Sequence, residues 1–577
     1  MIRKTRDADL ATRDTQRLFQ REVSRRTLLG QSLLVGAGAG LLGGCGATSS
    51  PSSGSSAAQK GDKASTNLIV AAPNTPLTGD LEGADLGDVE SQSTILCCYD
   101  GLIEFKFQNS PSGVRQALPT QFQPRLAESW QQTSPTTWVF KLKQGVKSSF
   151  GNELTSDDLV YFWMEYTPGR NNIGQFFKES IAKIKSVTAV DKYTVRFDTV
   201  TPAPMFLQVM TTAWSRPFDT AVLKSHQSSS DRWGANWLNR NTAGFGPYQI
   251  TAWQPGSVFT MKRRSDYYGE PPFLQTVTWQ QVPDASNRLS LLLNGTVGAA
   301  RELAFQDLKT VAQSSNAHVE SAPGNFGLYL LLDYDTHPWN DIRVRQAVAY
   351  AVPYNEIISQ VYSGFATPLH SIDVPAYEGY TGAYWVYDTN LAKAKQLVQE
   401  AGATGSSGTI SYNNSDPQHQ QVAIALQSAL SSIGLKISLN AMPDAAFTAA
   451  AVKGGLSAFL HNTYAWVVPT ATYDLLLSKV KGAVQNAVHY NNQEIDSLAV
   501  RLASDTDTAS RVAGEQMAQK IMMEQLPWIP ICNEGQHEAM VDSLTGLSWV
   551  PHGVLLPEYL VPSSGDVASY LGGEGNA

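Results

Sequence analysis

The sequence contains little cysteine and little charge, with 4 Cys and 16% charged residues in a chain of 577. Four cysteines cannot form the disulfide framework that holds small secreted domains together. The formal net charge of -8 excludes a general nucleic-acid binder, because such proteins need a basic face to neutralise phosphates. The chain is 42% hydrophobic, which excludes disorder along its whole length. We therefore expect a globular protein of several domain-sized units.

Catalytic motifs are missing as well. The sequence has no GxSxG, no HExxH and no phosphate-binding GxxxxGKS or GxxxxGKT pattern. Asp157 and Asp158 resemble an acid/base pair but are explained as acids in the first turn of a helix. The sequence thus predicts no enzyme, no catalytic residue, no cofactor and no metal, with a hydrolase lacking a known motif as the alternative. The histidines, which include His461, His489, His537 and His552, do not have the spacing of metal ligands.

The first 45 residues have the pattern of an export signal. An adjacent pair, Arg25 and Arg26, precedes the uncharged stretch 27–44, and twin arginines indicate the export route for folded proteins. The stretch ends in Leu-Gly-Gly-Cys, which resembles a bacterial lipobox with Cys45 as the acylated residue. We predict a twin-arginine lipoprotein signal peptide at 1–44 and a flexible tether at 45–66. A retained transmembrane helix is the alternative.

Three cysteines remain after Cys45, namely Cys97, Cys98 and Cys532. Because the count is odd, at least one thiol stays free, and a bridge from Cys97 or Cys98 to Cys532 is chemically allowed outside the cytoplasm. The favoured interpretation is that all three are small buried core residues.

The body of the chain alternates strand and helix patterns. Apolar or alternating residues predict strands at 67–73 and 137–143. Apolar residues at helical spacing predict helices near 344–351, at 391–401 ending at Gly402, and at 422–433 ending at Gly434. Helix, glycine and strand in succession indicate an α/β protein.

Five segments resemble bacterial ABC-transporter solute-binding proteins of family 5, the receptors of oligopeptide, dipeptide and nickel importers. The resemblance runs from about Asn67 to about Trp549, and its specificity comes from the order and spacing of the segments. The segments are Arg125–Trp130, Gly145–Asp158, Gly244–Tyr248 with Trp253–Gly256, Asp341–Val352 and Asp388–Gly402.

This resemblance implies a two-lobed α/β clamp of the class II periplasmic-binding-protein type, with the ligand buried between the lobes. Lobe I would comprise 67–326 and 526–577, with an additional subdomain at about 100–240, and lobe II would comprise 327–525. A monomer on the outer face of the cytoplasmic membrane would close on a peptide or similar polar solute. It would then dock on ABC permease subunits without breaking a bond in the ligand.

By position, the resemblance places seven residues at the ligand. Tyr464 and Trp466 offer broad apolar faces that would stack on a peptide plane, a sugar ring or an aromatic group. Arg343 and Arg345 could clamp a carboxylate, but their place at a helix start favours structural pairing. The predicted ligand-binding residues are Glu82, Gly83, Phe245, Tyr464, Trp466, Val467 and Asn533.

The sequence departs from the family at the position of an acid. Peptide-binding relatives pair an Asp with the N-terminal amine, and the aligned residue here is Pro469. A buried ammonium without a carboxylate partner is costly. The alternative ligand is therefore a sugar derivative, an opine-like conjugate or an N-blocked peptide, and the alternative role is a surface sensor or hydrolase.

Replacing Cys45 with Ala is expected to release the protein from the membrane, because acyl chains contribute roughly 0.8 kcal/mol per buried methylene. Fractionation and the mass of the N-terminal peptide measure the anchor, and Thr48→Ala is the matched control outside the lipobox. If the Cys45→Ala protein stayed in the membrane fraction, the lipid anchor would be wrong and a retained helix would be supported.

Overall fold

The computed structural model describes residues 65–564, except 82, 85–87, 111–112, 171–172, 323, 463–466 and 484. The predicted signal peptide with Arg25 and Arg26, the lipidation residue Cys45 and most of the predicted tether lie outside the described residues. Within the described part of the chain, no helix is long and apolar enough to cross a membrane.

The described residues form strands β1 to β22 and helices α1 to α17. The strands are β1 Asn67–Ala72, β2 Ile103–Asn109, β3 Arg115–Pro124, β4 Ala127–Ser134, β5 Thr137–Leu142, β6 Ile184–Asp191, β7 Thr194–Thr199, β8 Tyr248–Gln254, β9 Val258–Arg263, β10 Thr276–Gln281, β11 Ala299–Ala300, β12 Ala317–Ala322, β13 Gly327–Leu332, β14 Thr367–Pro368, β15 Ser407–Asn413, β16 Lys436–Met442, β17 Ala458–Asn462, β18 Trp528–Asn533, β19 Gln536–Val541, β20 Leu544–Thr545, β21 Ser548–Trp549 and β22 Val561–Pro562.

The helices are α1 Val89–Cys98, α2 Ser156–Tyr161, α3 Thr167–Arg170, α4 Ile173–Phe176, α5 Phe206–Val209, α6 Thr220–Ser225, α7 Ala235–Leu238, α8 Ala285–Leu293, α9 Phe305–Ala312, α10 Ile342–Ala351, α11 Tyr354–Glu356, α12 Leu391–Glu400, α13 Pro417–Ser432, α14 Asp444–Val452, α15 Ala471–Asp474, α16 Gln493–Leu502 and α17 Thr508–Gln525. Single π-helical turns follow four of the short helices, at Phe162–Tyr166, Phe177–Ile181, Ile357–Val361 and Leu475–Lys479. Short 3₁₀ turns lie at Ala213–Ser215 and Pro557–Tyr559.

Two large sheets define two lobes. The first lobe has a seven-stranded sheet in the order β12-β19-β11-β1-β10-β9-β8, in which the first strand β1 pairs in parallel with β10. The second lobe has a six-stranded sheet in the order β14-β18-β13-β17-β15-β16. Helices and strands alternate around both sheets, which confirms the predicted α/β class and two-lobed clamp.

A smaller four-stranded sheet, β4-β5-β7-β6, lies between β1 and β8 in sequence and falls inside the region predicted as an additional subdomain. The helix that follows β5 in this subdomain, α2, begins at Ser156. Thr155 is its N-cap and exchanges hydrogen bonds with Asp158 in a capping box. The interpretation of Asp158 as a helix-cap acid is therefore confirmed.

The chain crosses between the two large sheets twice. It leaves the first sheet at Ala322 and enters the second at Gly327, and it returns between Asn533 and Gln536. The return lies later than the predicted boundary at 526. The physical reason is that β18 pairs with β13 in the second sheet, with Leu328 opposite Cys532.

Glycine stops and apolar stripes place the helices of the second lobe as predicted. Gly402 and Gly434 follow α12 and α13 with φ of +68° and +101°, conformations that only glycine adopts readily. In α10, the stripe beginning at Val344 is buried. Arg343 pairs with Asp341 at 2.6 Å, and Arg345 donates to the carbonyls of Trp339 and Gln525, so both arginines have structural partners.

The last described segment of the chain is tied to the first lobe by a partly buried arginine. Arg125 lies 2.8 Å from Asp100, 3.1 Å from Glu104 and 2.9 Å from Glu558. Burial raises the pKa of Glu558 to about 7, an effect that Arg125 opposes. Because Glu558 is far from the other three in sequence, this network joins the C-terminal segment to the N-terminal half.

The three described cysteines are free and buried. Cys97 and Cys98 pack in a core cluster that contains residues of both lobes, called the shared core below. Cys532 packs in a separate core cluster of the second lobe. The favoured interpretation of these residues as core residues is confirmed.

Replacing Gly244 with Ala is expected to lower the free energy of unfolding by at least about 2 kcal/mol, because an added Cβ would lie 2.0 Å from the Cys98 carbonyl oxygen. The matched control is Gly455→Ala, whose Cβ would meet only the Ala450 carbonyl at 3.5 Å. Thermal unfolding followed by circular dichroism measures both. Equal unfolding temperatures for the two variants would contradict the close approach.

Candidate functional site

The candidate site is the junction between the two lobes, where the chain crosses twice from one sheet to the other. The side-chain amide of Asn533 donates to the Gly324 carbonyl at 2.9 Å and accepts from the Gly535 backbone N–H at 3.1 Å. The Glu534 N–H donates to the Phe326 carbonyl at 2.9 Å. These bonds hold the two crossings side by side where the lobes meet.

A carboxyl group lies in the second crossing. Glu534 accepts a hydrogen bond from the Tyr362 hydroxyl at 2.8 Å. Burial, and next the nearby charge of Asp416, raise the pKa of Glu534 to about 7. The charge at this crossing therefore changes near neutral pH.

Aromatic rings join the lobes away from the crossings. Phe177 of the first lobe lies over Tyr473 of the second, with ring centroids 6.4 Å apart and planes at 22°. Phe177 also stacks on Trp214, with ring centroids 5.6 Å apart, and Trp214 stacks on His552 at 6.3 Å. These four rings, called the ring column below, are in successive contact and connect one lobe to the other.

A turn of the first lobe positions Gly83. Its N–H donates to the Asp80 carbonyl at 3.0 Å, and Asp80 is fixed by Arg170 and by the Tyr166 hydroxyl. Gly83 itself is exposed. The backbone at Gly83 is therefore exposed, in a turn that begins at a residue whose side chain is held by an ion pair.

The segment Pro469–Thr472, which follows the predicted ligand residues Tyr464, Trp466 and Val467, is held by a carboxyl group of α17. Glu515, with 1% of its surface exposed, accepts hydrogen bonds from the Thr470 hydroxyl at 2.7 Å and from Thr472 N–H at 3.0 Å. The Pro469 carbonyl accepts from the Glu378 N–H at 3.0 Å. These contacts fix the position of the backbone at Pro469–Thr472.

The acid nearest in sequence to Pro469 is already paired with a lysine. Asp474 accepts hydrogen bonds from Ser478 and lies 3.3 Å from the Lys479 Nζ, which lies over the Trp528 ring. Asp373 is buried beside this pair, and burial and the Asp474 charge raise its pKa well above the usual range. Asp474 is thus a partner of Lys479 rather than a free carboxylate.

The structure describes four of the seven predicted ligand residues, including Gly83 above. Glu82, Tyr464 and Trp466 lie outside the described residues. Phe245 and Val467 are buried in the shared core at 1% and 2% exposure. Asn533 uses both polar atoms of its side chain between the crossings. Their contact with a ligand stays a prediction.

The residues predicted from the sequence do not include Phe177, Tyr473 or Glu515. Phe177 and Tyr473 carry no local pattern that distinguishes them from core aromatics, and Glu515 lies within an ordinary helix. The glutamate had one available signal, because it is an acid on the face of α17 that also carries buried Ala518 and Met522.

No cluster of three or more His, Cys, Asp or Glu side chains suited to a metal ion occurs among the residues the structure describes. Burial lowers the pKa values of His461 and His552 to about 3, so both are neutral at physiological pH.

Two α/β lobes joined by paired crossings are the architecture of a bilobal binding protein. The family model for bacterial extracellular solute-binding proteins, family 5, matches residues 121–483. Because this match covers more than half of the chain, the protein belongs to that family. It is an extracytoplasmic solute-binding protein of the ABC-transporter type, as the resemblance predicted.

Relatives extend the match to most of the chain. A probable D,D-dipeptide-binding periplasmic protein of Escherichia coli K12 is 24% identical over 459 residues, covering 78% of this chain and 86% of the relative. The substrate-binding protein CtaP of Listeria monocytogenes superposes with a TM-score of 0.75 at 22% identity, covering 87% of this chain and 100% of CtaP. The binding protein AgaA of A. tumefaciens R10, in complex with agropinic acid, superposes with a TM-score of 0.67 at 23% identity. This match covers 87% of this chain and 99% of AgaA.

The pKa of Glu515 predicts a pH-dependent stability. Burial raises this pKa from 4.5 to about 7, so the folded state binds the proton more tightly than the unfolded state. The contribution of Glu515 is fully present below pH 4.5 and is lost as pH rises to about 7, a total of about 3 kcal/mol.

In the Glu515→Gln variant, the free energy of unfolding should therefore fall less between pH 4.5 and 7 than in the parent chain. Chemical denaturation across this range measures the difference. The control is Glu524→Gln, an exposed acid on the same helix, which should keep the parent slope. A Glu515→Gln variant with the parent slope would show that this carboxyl does not titrate as described.

Proposed function

We propose that the protein is a lipid-anchored receptor that captures a peptide or similar polar organic solute between its lobes and delivers it to the permease of an ABC importer. The observation that carries this proposal is the pair of crossings at Ala322–Gly327 and Asn533–Gln536, with a family match that spans both lobes. Cys45 would hold the mature chain on the outer face of the cytoplasmic membrane.

Capture requires no chemical step in this proposal. A solute that contacts both lobes does so only in the closed form, and its binding therefore shifts the population toward closure. The permease would then distinguish loaded from empty receptor by the relative position of the lobes. The crossings allow this movement, because each lobe retains its own sheet.

A second candidate solute is favoured by the segment around Pro469. Val467 and Val468 are buried apolar residues, Pro469 carries no acid, and Asp474 is paired with Lys479. A free amine would find no unpaired carboxylate on this segment. An N-blocked peptide or an opine-like conjugate fits better, as does the agropinic acid bound by AgaA. A sugar derivative shares this feature but has no further support.

The expected result is that N-acetyl-D-Ala-D-Ala or agropinic acid binds at least as tightly as D-Ala-D-Ala, since no carboxylate at 469 rewards the free amine. Calorimetry measures affinity, and small-angle scattering measures the accompanying compaction. Mass spectrometry of protein purified from its own host identifies any co-purified solute.

The Pro469→Asp variant should reverse this preference by about tenfold, because a carboxylate would then face the amine. Pro469→Ala is the matched control and should leave the preference of the parent chain unchanged. Free-amine dipeptides binding the parent chain far more tightly than their acetylated forms would overturn the second candidate. The absence of compaction with every solute would overturn the receptor function.

A further inference from the structure

A lysine of the first lobe donates to the end of a helix in the second lobe. The Lys183 Nζ lies 2.7 Å from the Ala503 carbonyl oxygen and 3.1 Å from the Ser504 hydroxyl. Ala503 is the C-cap of α16, and it follows the last residue of that helix. The carbonyl groups at a helix C-terminus have no partner within the helix and carry partial negative charge. An ammonium group suits this position.

The backbone at Lys183 is unusual for a residue with a Cβ. Its φ is +51°, in the left-handed region that lysine rarely adopts. Such unfavourable conformations persist only where the surrounding structure imposes them. The residue follows the π-helical turn Phe177–Ile181, whose first residue stacks on Tyr473. The short segment 177–183 therefore carries both contacts to the other lobe.

The charge on Lys183 is retained at neutral pH. Burial lowers its pKa to about 8, so below that pH the ammonium form predominates. Charge-assisted hydrogen bonds are stronger than neutral ones. The side chain is half-buried, which reduces the competition from water.

We propose that Lys183 is an affinity-determining residue that acts outside the ligand pocket, by donating to the C-terminus of α16 only when the lobes are closed. This inference rests on the proposed receptor function. A contact made only in the closed form raises the closed fraction, and the apparent affinity for any solute rises with that fraction. Lys183 would thereby set affinity without touching the solute.

The test measures closure in the full chain without solute. Spin labels at Lys141→Cys and Lys436→Cys, exposed positions in the first and second lobes, report the distance between the lobes by pulsed electron paramagnetic resonance. Cys97, Cys98 and Cys532 are buried, and the chain without introduced cysteines measures background labelling.

The Lys183→Met variant should lower the ratio of closed to open forms by about three- to tenfold and shift the distribution to longer distances. Lys183→Arg retains the donor and should rescue closure. Lys185→Met, which removes an exposed lysine of the same strand region, is the matched control and should match the parent chain. Ser504→Ala tests the contact from the other lobe and should give a smaller shift in the same direction.

An unchanged distribution in both Lys183→Met and Ser504→Ala would overturn the inference. An equal shift in Lys185→Met would also overturn it, because the effect would then follow from loss of surface charge. A chain that closes through Lys183 yet binds no solute would contradict the proposed function and leave the role of this contact in closure standing.

Discussion

The paired crossings between the two sheets are the constraint on which the arrangement of the protein depends. On one side β12 pairs with β19, and on the other β13 pairs with β18, so each crossing is anchored in a continuous ladder at both ends. Asn533 ties the two crossings to each other across the intervening residues. The two lobes are therefore joined by a short double connection, and each keeps its own sheet.

Local patterns were sufficient for many elements of the fold. The apolar stripe of α10 and the glycine stops after α12 and α13 depend on neighbouring residues, and the structure has them where the sequence predicted them. Sheet membership is different, because it depends on partners far along the chain. The run Trp528–Cys532 is apolar and carries no mark of either lobe, and its pairing with β13 and β14 assigns it to the second.

The candidate site was harder to predict for a related reason. Alignment by position indicates which residues approach the cleft, but it does not say what else their side chains bind. Asn533 bonds the crossings, and Val467 packs in the core. Phe177 and Tyr473 meet although nearly 300 residues separate them. No local spacing encodes such a pair, whereas the family segments could be recognised because each is contiguous.

The ring column has a spectroscopic consequence. Trp214 is fully buried, donates through its indole N–H to the Ala84 carbonyl at 3.1 Å, and shares Phe177 with Tyr473 of the opposite lobe. In the lobe opening proposed above, Phe177 would lose Tyr473 as a neighbour, which would change the surroundings of the adjacent Trp214 indole. Indole emission shifts to longer wavelength as its surroundings become more polar. The protein thus carries an intrinsic fluorophore at the contact between its lobes.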